Sequence, residues 1–164
     1  MNRLSTLAAV AALALAAAAA PAQQARPPQS TQAAATPAKP ALYERLGGLK
    51  GISVVVDDFI DRLVRNKTLN RNAAIEAGRR SSPAPYLKLQ VSTLVCEVTG
   101  GPCKYAGKDM KSSHAHLNIS ETEWKAMAAE FKKSLDKHKV PAAEQKDLFD
   151  IVATTKKAIV VRPD

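Results

Sequence analysis

Residues 100–123 read GGPCKYAGKDMKSSHAHLNISETE, and the way this stretch divides decides the fold. Gly100-Gly101-Pro102 ends any helix that runs into it, since paired glycines and a proline break helical hydrogen bonding. At the other end, Ser120-Glu121-Thr122-Glu123 has the serine-x-x-glutamate form of a capping box, which starts a helix. Between these signals lie Tyr105, Gly107, Met110 and, four residues further on, His114. A short helix expected over 108–116 sets Met110 and His114 one turn apart. The stretch is therefore a hinge between helical layers, with a histidine at its far edge.

Working outward, the segments on both sides are helical and amphipathic. Downstream, Trp124, Met127, Phe131 and Leu135 recur at helical spacing until Pro141. A last helix from about Ala142 carries Leu148, Ile151, Val152, Thr155 and Ile159 on one face. Upstream, Pro85 suits the first turn of a helix with Leu87, Val91, Leu94, Val95 and Val98 on one face. Before it, Ile52, Val55, Val56, Phe59, Ile60 and Leu63 make another apolar face, with Asp57, Asp58, Asp61 and Arg62 mostly opposite. A short helical turn at 42–46 precedes Gly47-Gly48. Residues 66–72 read as a polar turn or short helical piece, and 78–83 as loop. Little of the chain alternates with a period of two and no hairpin signal stands out. The class is all-α: four longer helices plus short pieces, packed as two crossed layers.

The chain of 164 residues holds one such domain plus extras. Residues 1–22 have a short positive start, an alanine-rich apolar run and Ala20-Pro21-Ala22 at a cleavage spacing, the pattern of a secretory signal peptide. An uncleaved anchor is the alternative, though the run is marginal for a membrane span. Residues 23–40, rich in Pro, Ala and Gln, read as a disordered linker, and the folded domain as 41–164. This organisation predicts an exported protein, periplasmic or secreted, with no stable membrane span after the leader is removed. The net charge of +9 is scattered over several segments among few aromatics, which describes a solvated basic surface rather than a nucleic-acid site. Cys96 and Cys103 bracket a short loop; in an exported protein such a pair points to a disulfide, with two reduced thiols as the alternative.

Of three histidines, His138 sits at a helix C-terminus, where a positive ring suits the helix dipole. His114 and His116 point about 200° apart on a helix, so one faces in and one out. His114 shares the apolar face with Met110 and Leu117. On residue chemistry alone, a lone inward histidine is more often a satisfied core residue than a ligand. No phosphate loop, HExxH or nucleophile arrangement accompanies it.

The motifs together change that reading. Leu42-Tyr43-Glu44-Arg45-Leu46-Gly47-Gly48, Val55-Val56-Asp57-Asp58-Phe59, Gly100-Gly101-Pro102 with Tyr105 and Gly107, Met110 followed by His114, and Asn118-Ile119-Ser120 before Trp124 occur in order. No one of them is specific; the ordered set resembles the truncated haemoglobins of group I. The resemblance implies a two-over-two helical sandwich around haem b, with His114 as the ligand of the iron. Phe59, Ile60, Leu87, Gln90, Val91, Val95, Tyr105, Met110 and Trp124 would surround the haem. A diatomic gas (oxygen, nitric oxide or carbon monoxide) would be the partner, with room for a reductase.

Three departures from the family pattern stand out. Ile60 occupies the position where group I has a tyrosine that bonds oxygen. Leu87, Val91 and Val95 stand where glutamine is frequent, with Gln90 beside the stripe. The family's haem-packing phenylalanine has no counterpart near 72–74. The expectation is an apolar gas pocket with weak oxygen retention. Two other readings compete: a globin-fold domain that holds haem weakly or has lost it and serves as an interaction module, and a haem enzyme for nitric oxide detoxification. The family reading favours oxygen binding or transport over enzymatic turnover.

Overall fold

The structure, a computed structural model, describes residues 39–164; the expected leader and all but the last two residues of the linker lie outside them. A four-residue helix α1 (Leu42–Arg45) leads into α2 (Gly48–Arg65), followed by the short α3 (Lys67–Asn70) and α4 (Ala73–Ser81). Next come α5 (Ala84–Val98), the irregular loop, α6 (Met110–His114) with a 3₁₀ turn (Ala115–Leu117), then α7 (Glu121–Lys137) and α8 (Ala142–Ile159). The described residues are helices and their connections, as expected, except for a two-strand parallel bridge. In it β1 (Ile119–Ser120) pairs with β2 (Val160–Arg162). Strands this short carry no periodicity to read.

The start signals act as their chemistry demands. Ser120 Oγ accepts from Glu123 N–H while the Glu123 carboxylate accepts from Ser120 N–H at 2.8 Å, which completes the capping box of α7. Asn72 caps α4 with its carbonyl oxygen and donates its amide to Leu117 O at 2.9 Å. That cap explains why 78–83 is helical as far as Ser81 rather than loop. Gly78 is tolerated there because a Cβ would lie 2.8 Å from a Leu117 methyl, so a bare backbone lets α4 close on the turn after His114.

The core forms three clusters. Ile52, Val56 and Ile60 of α2 enclose Cys96 of α5, with Phe59, Leu63, Leu87, Val91 and Val95 packed around them. Phe131, Leu135 and Leu148 join α7 to α8, and share Phe59 and Val95 with the first cluster. Ile119, Trp124 and Ile159 form the third, with Met110, Leu117, Met127 and Val152 against it. Val152 ties this third cluster to the second, but the first and third share no residue. The apolar interior is thus a V, with one arm built on α2–α5, the other on α6–α8, and α7 with the middle of α8 at the junction. Two aromatic contacts brace the junction, Phe59 against Phe131 at 5.1 Å between ring centres and Phe131 against Phe149 at 5.2 Å.

The acidic face expected of α2 is only partly solvated. Asp58 points into the α2–α7 joint, where it accepts from Arg62 Nε and Lys137 Nζ at 2.6 Å each and from Ser134 Oγ at 2.9 Å. Burial disfavours its charge, but the bonds from Lys137, Arg62 and Ser134 outweigh this and hold the carboxyl well below the usual carboxylate range. Asn66 and Glu130 extend the same joint with a 3.1 Å hydrogen bond.

Candidate functional site

His114 ends α6 on the inner edge of one arm of the V. Its ring is half-buried, and Nδ1 lies 2.9 Å from the carbonyl of Met110, one turn back. A carbonyl only accepts, so Nδ1 carries the proton and Nε2 keeps its lone pair. Nε2 has no hydrogen-bond partner among the described residues. Burial pushes the ring's pKa down, against the effect of the Met110 bond, and the nearby His116 lowers it further. The result is a neutral, orientated imidazole with one free nitrogen, the form that binds a metal. His116 is exposed and turned toward Gly78, so one histidine faces in and the other out, as the helical angle requires.

The helix before the irregular loop is α5. It packs extensively on α2, whereas α6 packs on α8, and α5 and α6 make no extended contact with each other. Phe59 and Leu63 of α2 and Leu87, Val91 and Val95 of α5 are half-buried on one side; Met110, Leu117, Met127 and Val152 are half-buried on the other. Apolar side chains left half-covered on both arms of a V make a cleft suited to a flat apolar ligand.

The residues expected at the site do not all meet there. Phe59, Leu87, Val91 and Val95 line one arm, and Met110 and His114 the other. Ile60 is 4% exposed, enclosed with Ile52, Val56 and Cys96 and in the same cluster as Leu87 and Val91. Gln90 is half-buried beside that wall, and its amide makes no hydrogen bond among the described residues. Trp124 is buried in the cluster that holds Met110. Tyr105 belongs to none of the three clusters: its ring folds over Gly107, and its hydroxyl donates to Lys108 O at 2.9 Å. Burial raises its pKa. Sequence reasoning missed Met127, Val152 and Asn72. Met127 and Val152 were visible as members of helical stripes, but nothing in a stripe says which members border a cleft. The asparagine before the Ala-rich run 73–77 was a readable cap signal.

Two hollows among the described residues lie elsewhere. One of about 30 Å³ is walled by Ile52, Val55, Val56, Phe131, Leu135 and Leu148. The other, an open one of about 330 Å³, lies between the start of α2 and His138. The second hollow holds His138, whose Nε2 is buried without a hydrogen-bond partner among the described residues, but His138 stands at the C-terminal end of α7, outside the apolar residues that flank His114.

A V of crossed helices with one inward histidine on a short helix before a capped one defines the two-over-two globin class. The chain belongs to the bacterial-like globin family, whose model matches residues 41–161. A similar relative is the Group 1 truncated hemoglobin GlbN of Nostoc sp. (strain MUN 8820), 28% identical over 119 residues, which cover 73% of this chain and 96% of that protein. The fold is similar to truncated hemoglobin from Tetrahymena pyriformis in its Fe(III) form, with TM-score 0.65 and 19% identity over 75% of this chain and all of that one. It is equally similar to the 2/2 hemoglobin of Synechococcus sp. PCC 7002 in the cyanomet state with covalently attached heme, with TM-score 0.66 and 19% identity, again over 75% of this chain and all of that one.

The cofactor of this family is haem, and the residues present fit it. The two sides offer one neutral nitrogen donor and apolar residues on both.

Proposed function

We propose that this chain is an exported haem globin that reversibly binds a diatomic gas, with His114 as the residue that ligates the iron. The observation that carries this reading is the His114 ring, neutral, fixed through Nδ1 by Met110 O, and free at Nε2 between two apolar walls. Haem, held through His114, would supply an iron able to bind a diatomic gas. Met110 contributes its carbonyl, which sets the tautomer and the ring plane. Phe59, Leu87, Val91 and Val95 exclude water from one side; Met110, Trp124 and Met127 support the other.

The gas-binding side is a wall without donors. Isoleucine, leucine and valine side chains cannot donate a hydrogen bond, so Ile60, Leu87 and Val91 give oxygen no selective hold. Carbon monoxide and nitric oxide lose less by this. Export is supported by the leader pattern of 1–22 and by the Cys96–Cys103 disulfide, a bond that persists in oxidising compartments.

The experiment is an absorption spectrum of purified protein with and without added haem, for wild type, His114→Ala and His116→Ala. A Soret band in wild type and His116→Ala, lost or altered in His114→Ala and restored by imidazole, supports the assignment. The same loss in His116→Ala, with His114→Ala unaffected, would move the ligand by two residues.

A further inference from the structure

The geometry points to the Cys96–Cys103 disulfide as a redox latch: it holds the loop of residues 102–109 against α5, and its reduction by a dithiol frees that loop. The bond joins α carbons 5.8 Å apart across seven residues. Its two ends differ. Cys96 is fully enclosed among Ile52, Val56 and Ile60, whereas Cys103 is half-buried in the loop.

What else ties the loop down can be stated residue by residue. It begins firmly: Gly101 N–H donates to Cys96 O at 2.8 Å, and a Cβ at Gly101 would lie within 2.7 Å of Tyr43 and of the Cys96 sulfur. After that, the only hydrogen bond from residues 102–109 to an element outside the loop and α6, among the described residues, is Tyr105 N–H to a Glu97 carboxylate oxygen at 3.3 Å. The remaining bonds are local. Tyr105 Oη and Ser113 Oγ donate to Lys108 O, and Asp109 caps α6 through Ser112. Pro102, Lys104, Ala106, Gly107, Lys108 and Asp109 are all exposed. With the disulfide gone, one hydrogen bond and the partial burial of Cys103 and Tyr105 hold a loop whose other residues are exposed, and so few ties open readily.

The reaction balances as thiol–disulfide exchange. A thiolate of an external dithiol attacks the reachable Cys103 sulfur, forming a mixed disulfide and expelling Cys96 as thiolate, which takes up a proton. The second thiol of the reductant then attacks its own sulfur, leaving an oxidised reductant, two protein thiols and two electrons transferred. Burial among apolar side chains makes Cys96 a poor leaving thiolate. A monothiol is therefore a weak opener, and a dithiol of the Cys-x-x-Cys kind, which completes the second step within one molecule, is the matching reductant. Because the loop leads directly into α6, freeing it loosens the support of His114. This last consequence rests on the haem reading; the latch itself does not.

Limited trypsin digestion of the full chain tests the latch, since Lys104, Lys108 and Lys111 are exposed cleavage sites in or just after the loop. Dithiol-reduced, alkylated protein and Cys103→Ser should be cut at these sites at least tenfold faster than the oxidised protein, with the cuts that reduction adds confined to them. Equal rates, or cuts spread over all helices, overturn the latch. Haem transfer to excess apomyoglobin tests its consequence: the reduced form should lose haem several-fold faster. Faster digestion with unchanged haem transfer would overturn control of His114 while leaving the loop opening in place. A protein that takes up no haem in either state would instead overturn the haem reading alone.

Discussion

The two arms of the cleft are built on different principles. The α6–α8 arm is specified by directional bonds: Met110 O to the His114 ring, Asn72 to the backbone at Leu117, the Ser120–Glu123 box, and the β1–β2 bridge that ties the C-terminus over Ile119. The α2–α5 arm is specified mainly by volume, with Ile52, Val56, Ile60, Leu87 and Val91 in one cluster, and outside that cluster Lys88 of α5 pairs with Asp57 and Asp61 of α2 at 2.7 and 2.8 Å. One arm places a single atom; the other merely excludes water. Substitutions should therefore have concentrated effects on the first and graded effects on the second.

The largest effect belongs to His114. His114→Ala should weaken haem binding on the order of a hundredfold, about 2.7 kcal/mol, measured by haem titration and reversed by imidazole. The sign with pH follows from the ring's lowered pKa. A histidine that binds protons less readily when folded loses stability as pH falls through its unfolded value near 6.5. Haem release should accelerate over that range in wild type. A flat profile from pH 7.5 to 5.5 would show that the histidine is not the acid-sensitive contact, and the contrast between the arms would fail.

Next is the joint on which both arms rest. Asp58 is bonded by Arg62, Ser134 and Lys137, and Asp58→Ala would remove the acceptor that joins them, leaving Arg62 only its longer pairing with Glu130. The cost should be about 2 kcal/mol in urea unfolding. A carboxyl with a depressed folded pKa contributes stability that is present above its unfolded value, near 4, and is lost as pH falls below it. Acid unfolding of wild type should therefore steepen below about pH 4, and Asp58→Asn should flatten it. Asn72→Ala, which removes a cap and the bond to Leu117 O, should cost about 1.5 kcal/mol. Amide exchange should speed up first in residues 110–120, on the directional arm. Loosening that began on α5 instead would contradict the division between the arms.

Legibility followed the same division. The capping box, the Gly-Gly-Pro stop, the Met110–His114 turn and the disulfide are local in sequence, and each formed where the residues said. The inward histidine could be found because helical geometry sends His114 and His116 to opposite sides. The helical state of 78–81 was not legible, since Gly-Arg-Arg-Ser-Ser-Pro carries loop chemistry and is helical as the continuation of a helix capped at Asn72, with Gly78 leaving room for Leu117. The tertiary role of Asp58 was equally hidden: beside Asp57 and Asp61 it looks like surface, and only the position of α7 makes it a joint. Tyr105 was read as part of the cleft from the family motif, but its ring is occupied with Gly107 and Lys108 of its own loop.

The smallest and most discriminating effect concerns oxygen. A hydrogen-bond donor stabilises oxygen, whose outer atom gathers negative charge on binding, far more than carbon monoxide; one such bond is worth about 1 kcal/mol net. A wall of Ile60, Leu87 and Val91 offers none, so oxygen should leave rapidly while carbon monoxide binding stays ordinary. Adding a donor should slow oxygen release several-fold and barely change carbon monoxide. Ile60→Tyr adds one, but Ile60 is enclosed and the extra volume would strain the α2–α5 contact by about 1–3 kcal/mol. Leu87→Gln, at a half-buried position on the same wall, adds a donor with little strain. The two variants separate chemistry from packing: both should slow oxygen release, and only Ile60→Tyr should lower the unfolding midpoint. Gln90 provides the decisive counter-test, because its amide is unpaired beside the wall and could swing inward. Slow oxygen release in wild type, raised by Gln90→Leu and unmoved by Leu87→Gln, would mean that the volume-built arm also carries a directed bond.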